Sequence, residues 1–169
     1  TVAIRKKKIK KLYAVIKQNE SESMAAVKKD LGKSAMESFM CEVGLVLEEI
    51  SFMLKHVSKY AKKQVVKTPL AQFASKSYKN PSPRGVVLIM SPWNYPFMLT
   101  LSPLVDAIAA GNTVIIKPSA YSANTSKLIE EIFTKNFAPE YISVVSGGRA
   151  ENECLLNQKF DYIFFTGSK

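Results

Sequence analysis

Apolar residues recur in two rhythms along this chain, and the rhythm changes near residue 80. In the first part the spacing is helical. Ile9, Leu12, Tyr13 and Ile16 fall three and four apart, which puts them on one helix face. Ser21 is placed to cap a second helix that ends at Gly32. Ser34 and Glu37 form a capping box ahead of a third. That helix carries the longest stripe: Phe39, Val43, Val46, Leu47, Ile50, Met53, Leu54 and Val57. Cys41 and His56 fall off the stripe and read as rim positions without chemistry. Residues 64–80 lose the helical period. Val65, Val66, Phe73 and Tyr78 predict short strands there, and Pro69 predicts an edge position. The run Asn80-Pro81-Ser82-Pro83 then punctuates the chain.

Beyond it the pattern is one of short, wholly apolar runs at 86–90, 113–116, 142–145 and 162–165. Such runs fit strands buried on both faces. Helical stretches separate them. Ser102-Pro103 reads as an N-cap and first-turn pair for a helix that stops at Gly111. Leu128, Ile129, Ile132 and Phe133 form a second helical stripe, and residues 151–157 a shorter one. Strands of this kind alternating with helices predict an α/β fold: N-terminal helices followed by a doubly wound parallel, Rossmann-like sheet.

Composition narrows the class. Apolar residues make up 47% of the 169 and charged residues 22%, a globular balance. The net charge of +10 sits in the first half: residues 1–80 hold 17 Lys/Arg against 7 Asp/Glu, and the remainder 7 of each. A basic cluster can attract nucleic acid. Here the basic residues from Arg5 to Lys11 run around a helix, with no RNA- or DNA-binding motif beside them, so a solvated helix face is the preferred reading. The apolar stretch 97–116 is broken by Pro103, Asp106, Gly111 and Asn112, which argues against a membrane span. The basic start lacks the apolar region of a signal peptide. Two cysteines without CxxC spacing imply reduced thiols and a cytoplasmic setting. One histidine, His56, excludes a multi-histidine metal site within the chain, and no metal is expected.

Candidate chemistry lies where strands end, because open α/β sheets bind ligands at the carboxyl ends of their strands. After the first run come Ser91, Pro92, Trp93 and Asn94. An asparagine there can donate an N–H to a developing oxyanion without titrating; a turn or a helix cap explains it equally well. Lys117 ends the second run and is followed by Pro118 and Ser119. It can reach phosphate or ribose oxygens, or solvent. Thr166-Gly167-Ser168 is a small-residue turn whose backbone N–H groups could approach a pyrophosphate, and Gly147-Gly148 reads as a turn first and a cofactor contact second. No GxGxxG, GxxxxGK[ST] or GxSxG pattern is present.

Together these segments resemble one family. The stretches RGVVLIMSPWNYPFMLTLSPLVDAIAAGNTVIIKPSA and VVSGGRAENECLLNQKFDYIFFTGS are similar to the N-terminal coenzyme-binding region of aldehyde dehydrogenases. WNYPF, VVSGG and LEEISFML resemble the class-3 branch, which includes fatty and aromatic aldehyde dehydrogenases. The resemblance covers nearly the whole chain, and four motifs in order make it specific. It implies an enzyme in which a cysteine thiolate attacks the aldehyde, hydride passes to NAD or NADP, and a glutamate activates water to hydrolyse the thioester. It also implies roles. Asn94 would be the oxyanion donor. Lys117 would contact the adenosine ribose and Ser168 the pyrophosphate, and Ser119 and Gly167 would also bind the cofactor. Ser91 and Trp93 would line the cofactor cleft, and Gly147 would allow close approach near the adenine.

Two departures from the family pattern matter. Where the family often has KPSE, this chain has Lys117-Pro118-Ser119-Ala120, which removes a carboxylate from the ribose diol and implies relaxed NAD/NADP preference. The family's nucleophilic cysteine and glutamate base lie downstream of FTGS. The chain stops at Lys169, directly after the fourth run, and so reads as part of a longer polypeptide, inactive alone. The expected organisation is a helical segment at 1–63, an antiparallel arm for homodimer or homotetramer assembly at 64–80, and a partial nucleotide-binding domain at 81–169. Two alternatives stay open: a semialdehyde or acyl-CoA-reducing relative on the same scaffold, and a non-catalytic basic binding module.

Overall fold

A computed structural model describes residues 1–168. Helices α1 (Val2–Gln18), α2 (Glu20–Leu31), α3 (Ala35–Ser38) and α4 (Gly44–Tyr60) come first. A two-stranded antiparallel ribbon follows, β1 (Gln64–Val66) with β2 (Ser77–Lys79). The rest alternates: β3 (Val86–Met90), α5 (Met98–Ala110), β4 (Thr113–Lys117), α6 (Ala123–Asn136), β5 (Ile142–Val144), α7 (Arg149–Leu156) and β6 (Tyr162–Phe165). The last four strands form one parallel sheet in the order β5-β4-β3-β6, the α/β architecture expected from the apolar runs.

Successive side chains of β3 point to opposite faces and are covered on both, whereas β6, at the sheet edge, leaves all four residues exposed instead of buried as its apolar run predicts. Val87 and Ile89 join the main core with residues of α1, α4, α5 and α6, whereas Leu88 and Met90 pack with Leu155 of α7. The division follows from topology. The chain steps one way along the sheet through α5 and α6 and returns across it through α7, and right-handed crossovers then require opposite faces. Much of the basic N-terminus is used internally. Arg5 donates to the Ala109 carbonyl at the carboxyl end of α5, and the Lys8 ammonium lies 4.6 Å from the centre of the Tyr141 ring.

Several local expectations are corrected. The cap of α2 is Asn19, and Ser21 lies within the first turn. Asn19 occupies the junction because its side chain also donates to Val15 O, closing α1. The third helix is not continuous. Ser34 caps α3, but residues Phe39–Val43 form a π-helical turn before α4. Gly44 permits that turn, since a Cβ there would lie 2.7 Å from the Phe39 carbonyl oxygen. The extra residue shifts the register, and Phe39 emerges half-exposed rather than on the buried stripe. Phe73 is not in a strand. It closes a 3-10 turn, Leu70–Gln72, with Pro69 just ahead of it. Helix α5 starts at Met98, so Pro103 lies inside it. A cap supplied from a distant part of the chain starts α5 early. Phe97 and Met98 donate their N–H groups to Glu42, at 2.8 and 3.3 Å.

No helix among the described residues is long and apolar enough to cross a membrane. No group of three or more His, Cys, Asp or Glu side chains among them could hold a metal ion.

Candidate functional site

The parallel register brings the candidate residues to one edge. Met90 pairs with Lys117 on one side and with Phe165 on the other, so β3, β4 and β6 end level with each other. The ladder runs one step further, with Ser91 N–H donating to Lys117 O and Thr166 N–H to Met90 O. The segments that follow, carrying Asn94, Ser119 and Ser168, therefore leave the sheet from the same edge.

Two neighbouring cavities lie along it. One, of about 340 Å³, is lined by Ser91, Lys117, Ser119 and Ala120 on one side and by Gly147, Arg149 and Asn152 on another. The second, of about 410 Å³, is lined by Pro92, Trp93, Asn94 and Leu99 together with Thr166, Gly167 and Ser168. Asn94 and Ser168 thus share one cavity, and Lys117 with Ser119 and Gly147 the other. Met90 and Phe165 line the first beside these loops. A third cavity, of about 330 Å³, lies between Pro103 and Asp106 of α5 and Tyr162 and Phe164 of β6, away from the strand ends.

Lys117 does not reach solvent. It is 3% exposed, and its ammonium donates to Gly147 O at 2.7 Å and to Pro118 O at 2.9 Å. Burial pulls its pKa below the ordinary lysine value, while the Glu151 carboxylate opposes that shift. Glu151 accepts the Gly148 N–H at 2.6 Å, and backbone hydrogen bonds hold its carboxyl below the usual range, with Lys117 adding to the effect. Gly147 has φ of 134°, and a side chain there would run into that of Glu151. Ser91 is used differently from a free cavity hydroxyl. Its oxygen lies 2.6 Å from Thr100 Oγ1, which itself donates to Pro96 O at 2.5 Å, so the Ser91 hydroxyl is left to donate to Thr100. Trp93 is 53% exposed on the rim of the Asn94 cavity.

Sequence reasoning passed over Arg149, Glu151 and Asn152. The Asn152 side-chain oxygen is buried on the wall of the Lys117 cavity and has no hydrogen-bond partner among the described residues. This donor and acceptor set fits a nucleotide: one buried ammonium, small residues that admit close approach, and an acceptor left over for a ligand hydroxyl. Sequence reasoning also passed over Lys33 and Glu42, which hold the Asn94 segment. Glu42 did carry a signal, being a charged residue four positions before buried Val46 on an apolar face.

Comparison with known proteins agrees with this geometry. The chain is 43% identical over 168 residues to 4,4'-diaponeurosporen-aldehyde dehydrogenase of Staphylococcus aureus, covering 99% of this chain and 37% of that protein. It is 40% identical to mouse aldehyde dehydrogenase family 3 member A2, covering 97% of this chain and 34% of the relative. The chain therefore spans about a third of the length of these relatives. Its structure matches that of substrate-bound Staphylococcus aureus AldH with a TM-score of 0.97, at 43% identity, over 99% of this chain and 37% of that one. A succinic semialdehyde dehydrogenase of Streptococcus pyogenes, only 15% identical, shares the fold with a TM-score of 0.81 over 96% of this chain and 35% of that one. Residues 1–169 match the aldehyde dehydrogenase family throughout, and the chain belongs to that family.

Proposed function

We propose that this chain is the coenzyme-binding part of an NAD(P)-dependent aldehyde dehydrogenase, and that its own contribution to catalysis is the Asn94 side chain. One observation carries the reading: Met90, Lys117 and Phe165 lie side by side in register, so the Asn94, Ser119 and Ser168 segments face a common edge. The Lys117 cavity takes the adenosine end of the dinucleotide. Lys117 and Ser119 meet the ribose, Gly147 lets the ligand approach the backbone, and the Asn152 oxygen accepts a ribose hydroxyl. Gly167 and Ser168 face the pyrophosphate, and Trp93 walls the adjoining cleft. Ser91 lines the cavity wall, and its hydroxyl fixes the end of β3 to α5 through Thr100. Bound NAD+ or NADP+ supplies the hydride acceptor.

Asn94 donates an amide N–H to the aldehyde oxygen as negative charge develops there under attack by a cysteine thiolate. In this family that cysteine lies beyond the stretch matched by this chain. An amide suits the task because it stays neutral at any working pH and needs no proton transfer of its own. Ala120 and Arg149 both line the ribose cavity, so a 2′-phosphate meets a cation and no carboxylate from position 120. The site accordingly takes NADP as well as NAD. The β1–β2 ribbon, with Val65, Leu70 and Phe73 strongly exposed, serves assembly into homodimers or homotetramers. The setting is cytoplasmic.

The test is Asn94→Ala in the dehydrogenase that carries this segment. Losing one oxyanion donor lowers kcat by about 100- to 1,000-fold, with nucleotide affinity held within about twofold. A kcat near that of the parent would remove Asn94 from the reaction.

A further inference from the structure

The segment that carries Asn94 is held by residues far away in sequence. Glu42 lies on the π-helical turn, with 0% exposure. One of its oxygens accepts the N–H groups of Phe97 and Met98, at 2.8 and 3.3 Å. The other lies 2.6 Å from the Lys33 ammonium. That ammonium also donates to the carbonyl oxygen of Asn94 itself, at 3.1 Å, and sits 3.9 Å from the centre of the Tyr95 ring. A single ion pair thus touches residues 94, 95, 97 and 98. Neither Lys33 nor Glu42 lines the cavity that Asn94 shares with Ser168.

We infer that Lys33 and Glu42 are positioning residues that aim Asn94 at the reacting oxygen. This rests on the reading of Asn94 as the oxyanion donor. Stability alone is a poor account of the pair, because well-packed apolar residues of the same volume often serve a core as well or better than a buried ion pair. The pair supplies direction. Glu42 sets where α5 begins, which fixes the chain just after Asn94. Lys33 holds the Asn94 carbonyl from the other side, which leaves the side chain free to face the cavity. Local features place both partners. Gly32, at φ of 69°, ends α2 and turns the chain into Lys33. The π-helical turn adds a residue to the helix at Glu42, and such turns recur at functional sites. A donor must sit within roughly 0.5 Å of its productive position to act on a transition state.

The test compares Lys33→Met, Lys33→Arg and Asn94→Ala, singly and as the doubles with Asn94→Ala, in the dehydrogenase that carries this segment. Lys33→Met is expected to lower kcat by about tenfold to 100-fold, the scale of a misplacement of about 1 Å, and to leave the dissociation constant for NAD+ within about twofold. Lys33→Arg keeps the charge beside Glu42, and with it the fold, and should fall between Lys33→Met and the parent. In the Asn94→Ala background both Lys33 changes should have little further effect on kcat, because the group they aim is gone. If the Lys33 variants keep the parent's kcat while Asn94→Ala loses it, the positioning role is wrong and the oxyanion reading stands. If the Lys33 losses are the same in both backgrounds, the pair is structural and the inference fails. If Asn94→Ala itself keeps full kcat, the underlying reading fails first.

Discussion

The Lys117 ammonium donates to the Gly147 carbonyl oxygen at 2.7 Å, which ties the end of β4 to the turn that leads into α7. The contact spans 30 positions of sequence and closes one side of the proposed ribose site. Two of the ammonium's three hydrogens are engaged, with Gly147 O and Pro118 O, and the third is available to a ligand oxygen.

Replacing that donor tests the site. Lys117→Met should weaken NAD+ binding by about tenfold to 100-fold, as loss of a charge-assisted hydrogen bond of about 1.5–3 kcal/mol requires. Calorimetric titration of the dehydrogenase that carries this segment reads it directly. An unchanged dissociation constant would take Lys117 out of the site.

Ala120 sets the second prediction. Ala120→Glu restores a carboxylate to the cavity wall, beside the proposed ribose. It should repel a 2′-phosphate and lower kcat/KM with NADP+ by at least about tenfold, on the scale of one like-charge contact in a partly buried site. The value with NAD+ should hold or rise. Equal losses with both nucleotides would show that position 120 does not face the 2′-oxygen.

A third prediction concerns stability. The Asp30 carboxylate caps α6 from a distance: it accepts N–H groups from Asn124 and Thr125, at 3.0 and 2.7 Å, and both of their side chains donate to it as well. Burial alone would raise its pKa. The hydrogen bonds outweigh that and hold it below the ordinary value. The stabilisation is therefore present above the unfolded aspartate pKa and is lost as pH falls through the lower folded value. Asp30→Ala should cost about 1–2 kcal/mol at pH 7. Urea unfolding of parent and variant should show the gap closing in acid. A gap that failed to narrow as pH fell from 7 through the acid range would contradict the mechanism.

Asp106 has the opposite sign. Partial desolvation and the nearby charge of Glu49 on α4 push its carboxyl up to about 6, although the residue keeps a solvent-exposed face. The folded state then holds its proton more tightly than the unfolded chain, so this group's contribution is greatest in acid and declines as pH rises toward and past 6. Asp106→Asn should raise the unfolding midpoint at pH 7.5 and change it little at pH 4. A variant less stable than the parent at pH 7.5 would show that the charged form is favoured there.

Legibility in the sequence followed the range of the interaction. Val86–Met90 was recognisable as a strand because a strand packed on both faces must be apolar along its length. Tyr162–Phe165 is a strand as its apolar run predicts, but all four of its residues are exposed at the sheet edge rather than buried on both faces. Lys117 and Asn94 were recognisable because strand ends are where this architecture meets ligands. What stayed hidden was set by contacts between distant segments. Ser102-Pro103 has the local form of a helix start, yet α5 begins earlier because Glu42, 55 positions before Phe97, supplies the cap. Asp30 caps α6 across 94 positions in the same way. The π-helical turn likewise has no periodic signature, and it moved Phe39 off the stripe that spacing alone predicts.

The most direct measurement is a crystal structure of the dehydrogenase that carries this segment, with NADP+ bound. The account predicts the adenosine ribose within about 3.2 Å of Lys117 Nζ, hydrogen-bonding range. It also places the pyrophosphate beside Gly167 and Ser168, and the Asn94 amide facing the nicotinamide side of the cleft. Nucleotide bound instead between α5 and β6, against Asp106 and Tyr162, would contradict it.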